Sequence, residues 1–343
     1  MVEVTIGEPR RAPPLMTSLA AVILVTGLAS LMVGPAPLPP GAVLGALVGH
    51  ADPIARDIVW QIRAPRALLA LLIGGMLGLA GAALQGLLRN PLADPAVIGT
   101  SSSAALGAVI ALYFGLARAF PLALPLLAVA GALIGLAGLL PIARRGEGPS
   151  TLILAGVAIS ALAGAGVSLA LNLAPNPFAV SEIAFWLMGS LTDRSFQHVA
   201  LAAPLIAVGA GMIFWQARAL DGLSLGEDAA RSLGFDLNRV RLLLVAGVAL
   251  GVGAAVAVSG AIGFVGLIAP HLVRPFTDGR PSRALAPSAL AGAALLSLAD
   301  LLVCLIPTQS ELKLGVVTAF LGAPVFIWIL MRGARTADQG SGW

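Results

Sequence analysis

The residues best suited to polar chemistry are concentrated in one stretch, 221–241, of an otherwise apolar chain. Within it, Ser224 and Glu227 have the spacing of a capping box, in which a hydroxyl and a carboxylate each accept a hydrogen bond from the backbone of a helix's first turn. Glu227 and Asp228 suit the positive end of a helix dipole, and Arg231 suits its negative end. The pattern predicts a short helix over about 225–233.

The same stretch carries signals for where that helix ends and the next begins. Gly234 suits the left-handed position just beyond a helix, and Asp236 or Asn238 can start a second helix. Folding signals of this kind do not indicate covalent chemistry. They favour a docking surface, with a solvated loop helix between two membrane spans as the alternative.

Other chemistry-bearing residues are few. The sequence has no HExxH zinc motif, no arginine ladder and no chain of acidic residues across several helices, which argues against an intramembrane enzyme, a voltage sensor and a proton relay. Asp300 is interpreted as a buried structural acceptor, with a coupling group as the alternative. His271 has no second ligand at metal-binding spacing, and the single cysteine, Cys304, excludes an internal disulfide.

Composition determines which elements must position these residues. Of 343 residues, 58% are hydrophobic and 10% are charged, and the mean hydropathy is +0.97. Such a chain cannot cover a water-soluble globule, so an all-α polytopic membrane protein is predicted. The net charge of +4 comes from basic residues scattered singly at the ends of apolar runs, which argues against nucleic acid as a partner.

About ten transmembrane helices follow from apolar runs long enough to cross a bilayer. They lie at about 15–34, 66–87, 97–116, 120–143, 151–173, 196–217, 240–258, 262–276, 284–306 and 314–331. The third and eighth are short and rich in glycine, so either can be tilted or broken. The transmembrane domain is placed at 15–332, between tails at 1–14 and 333–343.

Arginine residues indicate the orientation of this domain. Loops on the side of the N-terminus carry more of them, which places both termini and the 221–241 stretch in the cytoplasm by the positive-inside rule.

Six motifs then occur in order along nearly the whole chain. They are RAPR (63–66), GLAGAALQGLLRNPLADPAVIGTSSSAALGA (78–108), FWLMGSL (185–191), LSLGEDAARSLG (223–234), SGAIGFVGLIAPHLVR (259–274) and LGVVTAFLGAPVFIWIL (314–330). Together they resemble the FecCD family, the permease subunits of type II ABC importers for ferric siderophores, haem and vitamin B12.

The resemblance implies the type II ABC importer permease fold, in a dimer with a second copy of the chain, at the inner membrane. A cytoplasmic loop forms coupling helices, here about 221–238, that dock on a separate ATPase subunit, of which the assembly has two. The positions that would contact it are Ser224, Gly226, Glu227, Ala229, Ala230, Arg231, Leu233 and Gly234. The sequence contains no Walker A motif, so ATP and Mg²⁺ are expected on the partner, and no cofactor or metal is expected on this chain.

On the outer face, family members receive a periplasmic binding protein whose acidic residues meet arginines of the permease. Arg63 and Arg66 match the family motif, and Arg56 lies near them in sequence. The family's usual arginine in the ninth helix is replaced by Cys304, and Lys313 is expected to supply the missing charge.

The resemblance also implies a cytoplasmic gate. Asn90 and Leu92 match its first segment, and Pro149 and Ser150 match its second, although a threonine is usual where Pro149 stands. A helix-ending turn at NPLADP is compatible with this role, because two prolines within five residues stop a helix.

The expected function is import of a ferric siderophore, haem or similar chelate by alternating access, with vitamin B12 import as the alternative within the family. A secondary transporter driven by an ion gradient is the alternative from another class, since it has similar hydropathy.

Overall fold

In a computed structural model of the chain, residues 13–34, 36–120, 122–144, 149–306 and 312–338 are described. These residues form helices joined by short turns, with no strand among them. The longer helices are α1 (Pro13–Met32), α4 (Ala64–Leu88), α7 (Ala123–Arg144), α8 (Pro149–Asn172), α10 (Phe196–Trp215), α13 (Leu237–Ser259), α15 (Pro281–Leu305) and α16 (Leu314–Asp338).

Shorter helices complete the fold. They are α2 (Pro40–Leu47), α3 (Pro53–Asp57), α5 (Thr100–Tyr113), α6 (Leu116–Ala119), α9 (Pro177–Leu187), α11 (Ala217–Ser224), α12 (Glu227–Ser232) and α14 (Val265–Val273). A π-helical turn, Ile58–Arg63, joins α3 to α4, and 3₁₀ turns occur at Pro95–Ile98 and Arg274–Phe276.

Each of the ten predicted spans coincides with one helix, which confirms an all-α polytopic membrane protein of about ten transmembrane helices. Seven helices in the described ranges are long and apolar enough to cross a bilayer by length and composition. The two spans expected to be short are α5 and α14. The helices α2, α3 and α9 were not predicted from the sequence, because they are too short to produce an apolar run of spanning length.

Near the ends of the chain, α1 begins at Pro13 and α16 ends at Asp338. The tails expected at 1–14 and 333–343 stay predictions. Residues 1–12 and 339–343 lie outside the described residues.

The centre of the bundle is built from α4, α13 and α15, whose side chains are largely buried. Close approach of α4 to α15 requires glycine, because a Cβ atom at Gly78 would collide with the carbonyl oxygen of Ser288 and one at Gly292 with that of Gly74. Small residues let helix backbones touch where lipid gives helices no hydrophobic reason to associate. The glycines therefore allow the backbones of α4 and α15 to lie in contact.

Candidate functional site

The predicted docking stretch forms two short helices, α11 and α12, followed by the start of α13; we call these residues, 217–238, the coupling segment. Gly234 has a φ of 88° and ends α12 as predicted, with its neighbour Phe235 donating its N–H to the Ala230 carbonyl at 3.2 Å. Asp236 caps α13, because its carboxylate accepts from the N–H groups of Asn238 (3.0 Å) and Arg239 (3.2 Å). Both predicted helix boundaries are confirmed.

The predicted capping box at Ser224 and Glu227 is wrong. Ser224 is the last residue of α11, and its hydroxyl donates to the Asp221 carbonyl at 2.6 Å. The N-cap of α12 is Gly226, whose φ of 111° suits glycine. The cause is an unpredicted helix: Leu220 and Leu223 are buried, and their burial continues α11 through Ser224.

Glu227 holds the coupling segment to the bundle. One carboxylate oxygen accepts from Arg241 of α13 at 2.5 Å, and the other accepts from Arg231 at 3.3 Å. The Arg241 side chain is only 2% exposed, so this ion pair is the buried one, whereas Arg231 and its second partner Asp228 face solvent. Glu227 thus fixes α12 on α13 and offers little of itself to a partner.

The exposed side of the coupling segment is apolar at two points. Leu225 is 71% exposed and Leu233 is 61% exposed, and Ser224, Arg231 and Gly234 also face outward. Ala230, expected at the ATPase contact, is fully buried against Gly222. The prediction that the Ala230 side chain contacts the ATPase is therefore wrong. Leu225 was missed, although a leucine in a polar loop between two helices is a usable sign of a contact.

A second contact that holds the coupling segment to the bundle was not predicted from the sequence. The Asp221 carboxylate of α11 accepts from the backbone N–H of Ser282 at 2.9 Å and from its hydroxyl at 2.6 Å. Ser282 lies in the first turn of α15, where backbone N–H groups lack helical partners. Asp221 therefore caps a membrane helix whose first turn lies 61 residues later in the sequence.

On the opposite side, two of the expected docking arginines are buried within the bundle. Arg66 forms a bidentate ion pair with Asp300 of α15, with Nε 2.9 Å and 3.1 Å from the two oxygens. Arg63 donates to the carbonyl of Leu31 (2.7 Å) in the last turn of α1 and to that of Ala36 (2.6 Å) beyond the helix. The prediction that these two arginines lie exposed at the outer rim is therefore wrong. Backbone carbonyls bind the Arg63 guanidinium and a buried carboxylate binds that of Arg66, which draws both side chains into the bundle. Asp300 is confirmed as a buried acceptor.

The other two expected docking residues are more accessible. Arg56 of α3 is exposed. Lys313 is half-buried, with its ammonium 5.5 Å from the centre of the Phe185 ring. A role for either in docking stays a prediction.

The first expected gate segment is a hydrogen-bonded turn. Asn90 accepts from the N–H of Leu92 at 2.9 Å, and Asp94 caps the following 3₁₀ turn through the N–H of Ala96 at 2.9 Å. Burial raises the pKa of the Asp94 carboxyl, and the Ala96 bond partly opposes this rise. The helix-ending turn is confirmed, and Leu92 is exposed beside it.

The second gate segment opens α8. Pro149 is the first residue of the helix, its side chain lies outside the described set, and Ser150 is exposed. A turn further on, Leu152 and Ile153 line one small cavity together with Val97 and Ile98. The chain that follows the first gate segment thus packs on the helix that begins with the second. The gating role itself stays a prediction.

Comparisons with known proteins agree with this geometry. The chain matches the FecCD transport family over residues 22–332. It is 42% identical over 297 residues to the ABC transporter permease protein YvrB of Bacillus subtilis, covering 85% of this chain and 83% of the relative. It is 41% identical over 334 residues to the vitamin B12 import system permease protein BtuC of Salmonella typhimurium, covering 96% and 98%.

One solved structure is similar throughout. It is a metal-chelate type ABC transporter in an inward-facing conformation, 30% identical, with a TM-score of 0.83 over 93% of this chain and 99% of the other. A family match over most of the chain, together with whole-length relatives and a whole-length structural neighbour, shows that the chain belongs to the FecCD transport family and is a permease subunit of an ABC importer.

Proposed function

We propose that two copies of this chain and two ATPase subunits form an ATP-driven importer, with both termini and the coupling segment in the cytoplasm. The observation that carries the proposal is the coupling segment itself. It presents Leu225 and Leu233 to solvent while Glu227 and Asp221 hold it to α13 and α15. Exposed apolar residues on a firmly held base fit a contact that must transmit force.

The mechanism is alternating access. Closure of the ATPase dimer, which binds ATP and Mg²⁺, displaces α11 and α12. Asp221 passes this displacement to the start of α15, and the glycine contacts and the Arg66–Asp300 ion pair carry α4 along with it. The chain itself supplies a path that opens to one side at a time and binds no cofactor.

The cargo we propose is a large metal chelate. A similar structure is of metal-chelate type, and BtuC relatives are named for vitamin B12, itself a cobalt chelate. Ferric siderophores, haem and cobalamin are therefore the compounds to test. A periplasmic binding protein would deliver the cargo, with Arg56 and Lys313 as the accessible basic residues that meet its acidic lobes.

The test is ATP hydrolysis and uptake in proteoliposomes that contain this chain and its ATPase. The binding protein is added empty or loaded with haem, a ferric siderophore or cobalamin. Stimulation and uptake with one of these would establish the importer and its cargo. Uptake that proceeds without ATP and follows an ion gradient would contradict the proposal and favour a secondary transporter.

A further inference from the structure

A cavity of about 320 Å³ lies where the ends of α4, α14 and α15 meet the last residue of α11. Three arginines line it: Arg89 follows α4, Arg274 follows α14, and Arg280 precedes α15. Its lining, as far as the described residues form it, contains no aspartate or glutamate. We call this cavity the arginine pocket.

Within the described ranges, no carboxylate pairs with the arginines of this pocket. Among the described residues, none of its three arginines forms an ion pair, and all three are exposed. A nearby carboxylate, that of Asp278, is instead paired with Arg283 at 2.6 Å, outside the lining. Three like charges around one cavity favour a bound anion, since each would attract it and none is compensated.

The backbone at Arg89 supports a binding role. Arg89 has a φ of 48° and a ψ of 37° at the C-terminus of α4, a left-handed conformation that glycine or asparagine usually takes at a helix end. For another residue it costs roughly 1 kcal/mol. An arginine at such a position directs a charge to the pocket at the expense of local stability.

The small residues of the pocket indicate what kind of anion fits. Ala82 and Gly86 of α4 and Ala284 of α15 line it together with the arginines. An inorganic anion would leave this apolar surface unused, whereas a phospholipid would place its glycerol and first methylenes there. The pocket also lies at the ends of membrane helices, which is the depth of lipid head groups.

We propose that the arginine pocket binds the phosphate head group of an anionic phospholipid. This does not depend on the cargo or on the ATPase. Ser224, the last residue of α11, also lines the pocket. A bound lipid would therefore hold the coupling segment against α4 and α15.

The test uses the full-length chain, stripped of lipid in a neutral detergent. Binding of dioleoylphosphatidylglycerol is measured by native mass spectrometry and compared with that of dioleoylphosphatidylcholine. The anionic lipid should bind more tightly. Arg274→Gln with Arg280→Gln should weaken it roughly 25-fold, at about fivefold per arginine near the membrane surface. Arg239→Gln is the matched control, because it removes an exposed arginine at the start of α13, outside the pocket, and should change binding less than twofold.

Two further measurements separate the other occupants. Inorganic phosphate is titrated alone and as a competitor; if it binds through the same arginines and the lipid does not, the lipid proposal is overturned. Equal binding of the two lipids, or an unchanged affinity in the double variant, also overturns it. A double variant that binds the anionic lipid as tightly as the wild type but no longer binds the ATPase subunit also overturns the proposal. The arginine pocket would then be part of the ATPase interface.

Discussion

The carboxylate of Asp221 in α11 accepts two hydrogen bonds from Ser282 in α15, one from its backbone N–H at 2.9 Å and one from its hydroxyl at 2.6 Å. Eighteen residues further along the same helix, Asp300 is paired with Arg66 of α4. At 1.5 Å per residue the two attachments are about 27 Å apart. One rigid helix thus connects the coupling segment with the far end of α4.

Replacing Asp221 should loosen the coupling segment without removing it. Asp221→Ala loses both bonds and leaves the first turn of α15 uncapped, which costs about 0.5–2 kcal/mol. We expect ATPase binding to persist while transport per ATP hydrolysed falls severalfold. The measurement is uptake and hydrolysis in the same proteoliposomes.

Ser282→Ala provides a graded comparison, because it removes the hydroxyl bond and keeps the backbone one. Its effect should lie between those of the wild type and Asp221→Ala. Asp228→Asn is the control, since the Asp228 side chain is fully exposed. Equal uptake per ATP in all of these proteins would contradict a role for Asp221 in transmission.

The Arg66–Asp300 ion pair makes a different prediction. Asp300 is 1% exposed, so Asp300→Ala breaks a buried ion pair by removing the carboxylate that binds the Arg66 guanidinium, which typically costs roughly 3–5 kcal/mol. The thermal unfolding temperature in detergent should drop sharply. Replacing both partners together, with Arg66→Met and Asp300→Leu, should recover most of that loss. A double variant less stable than Asp300→Ala would show that shape, rather than charge, decides stability at this site.

Much of this architecture could be read from the sequence, because it depends on local patterns. Apolar runs located the ten membrane helices, and the residue types at Gly234 and Asp236 located two helix boundaries. Each of these signals acts within a few residues of itself. The helix α11 was missed because its buried side, with Leu220 and Leu223, is hidden inside a polar stretch.

The partners of charged residues could not be predicted in this way. Arg66 and Asp300 are 234 residues apart and Asp221 and Ser282 are 61 apart, and no pattern in a single sequence joins them. For the same reason Arg63 was expected at the rim, although it binds the end of α1. From sequence alone, a charged residue near the end of a membrane helix is predicted to lie at the surface, because its partner is not known.

Glycine at the α4–α15 contact gives a third prediction. Gly78→Ala places a methyl group against the Ser288 carbonyl of α15, and overpacking of this kind costs about 1–3 kcal/mol. Gly211→Ala in α10 meets no atom within 4 Å and should be neutral or stabilising by about 0.5–1 kcal/mol. The measurement is the thermal unfolding temperature of the two variants. A Gly78→Ala protein as stable as Gly211→Ala would mean that the two helices are free to separate.

The exposed leucines of the coupling segment give the sharpest test of partner binding. Burying a leucine side chain contributes about 1.5–3 kcal/mol, so Leu225→Ser or Leu233→Ser should weaken ATPase binding by roughly 10- to 100-fold. Neither change should affect folding, because both side chains are mostly in solvent.

Val48→Ser is the matched control: Val48 is 69% exposed, close to the 71% of Leu225, and follows α2 rather than the coupling segment. The measurement is the affinity of the purified ATPase for the permease in detergent. If both serine variants bind the ATPase as tightly as Val48→Ser does, these leucines face lipid or a second copy of the chain, and the docking surface must lie elsewhere.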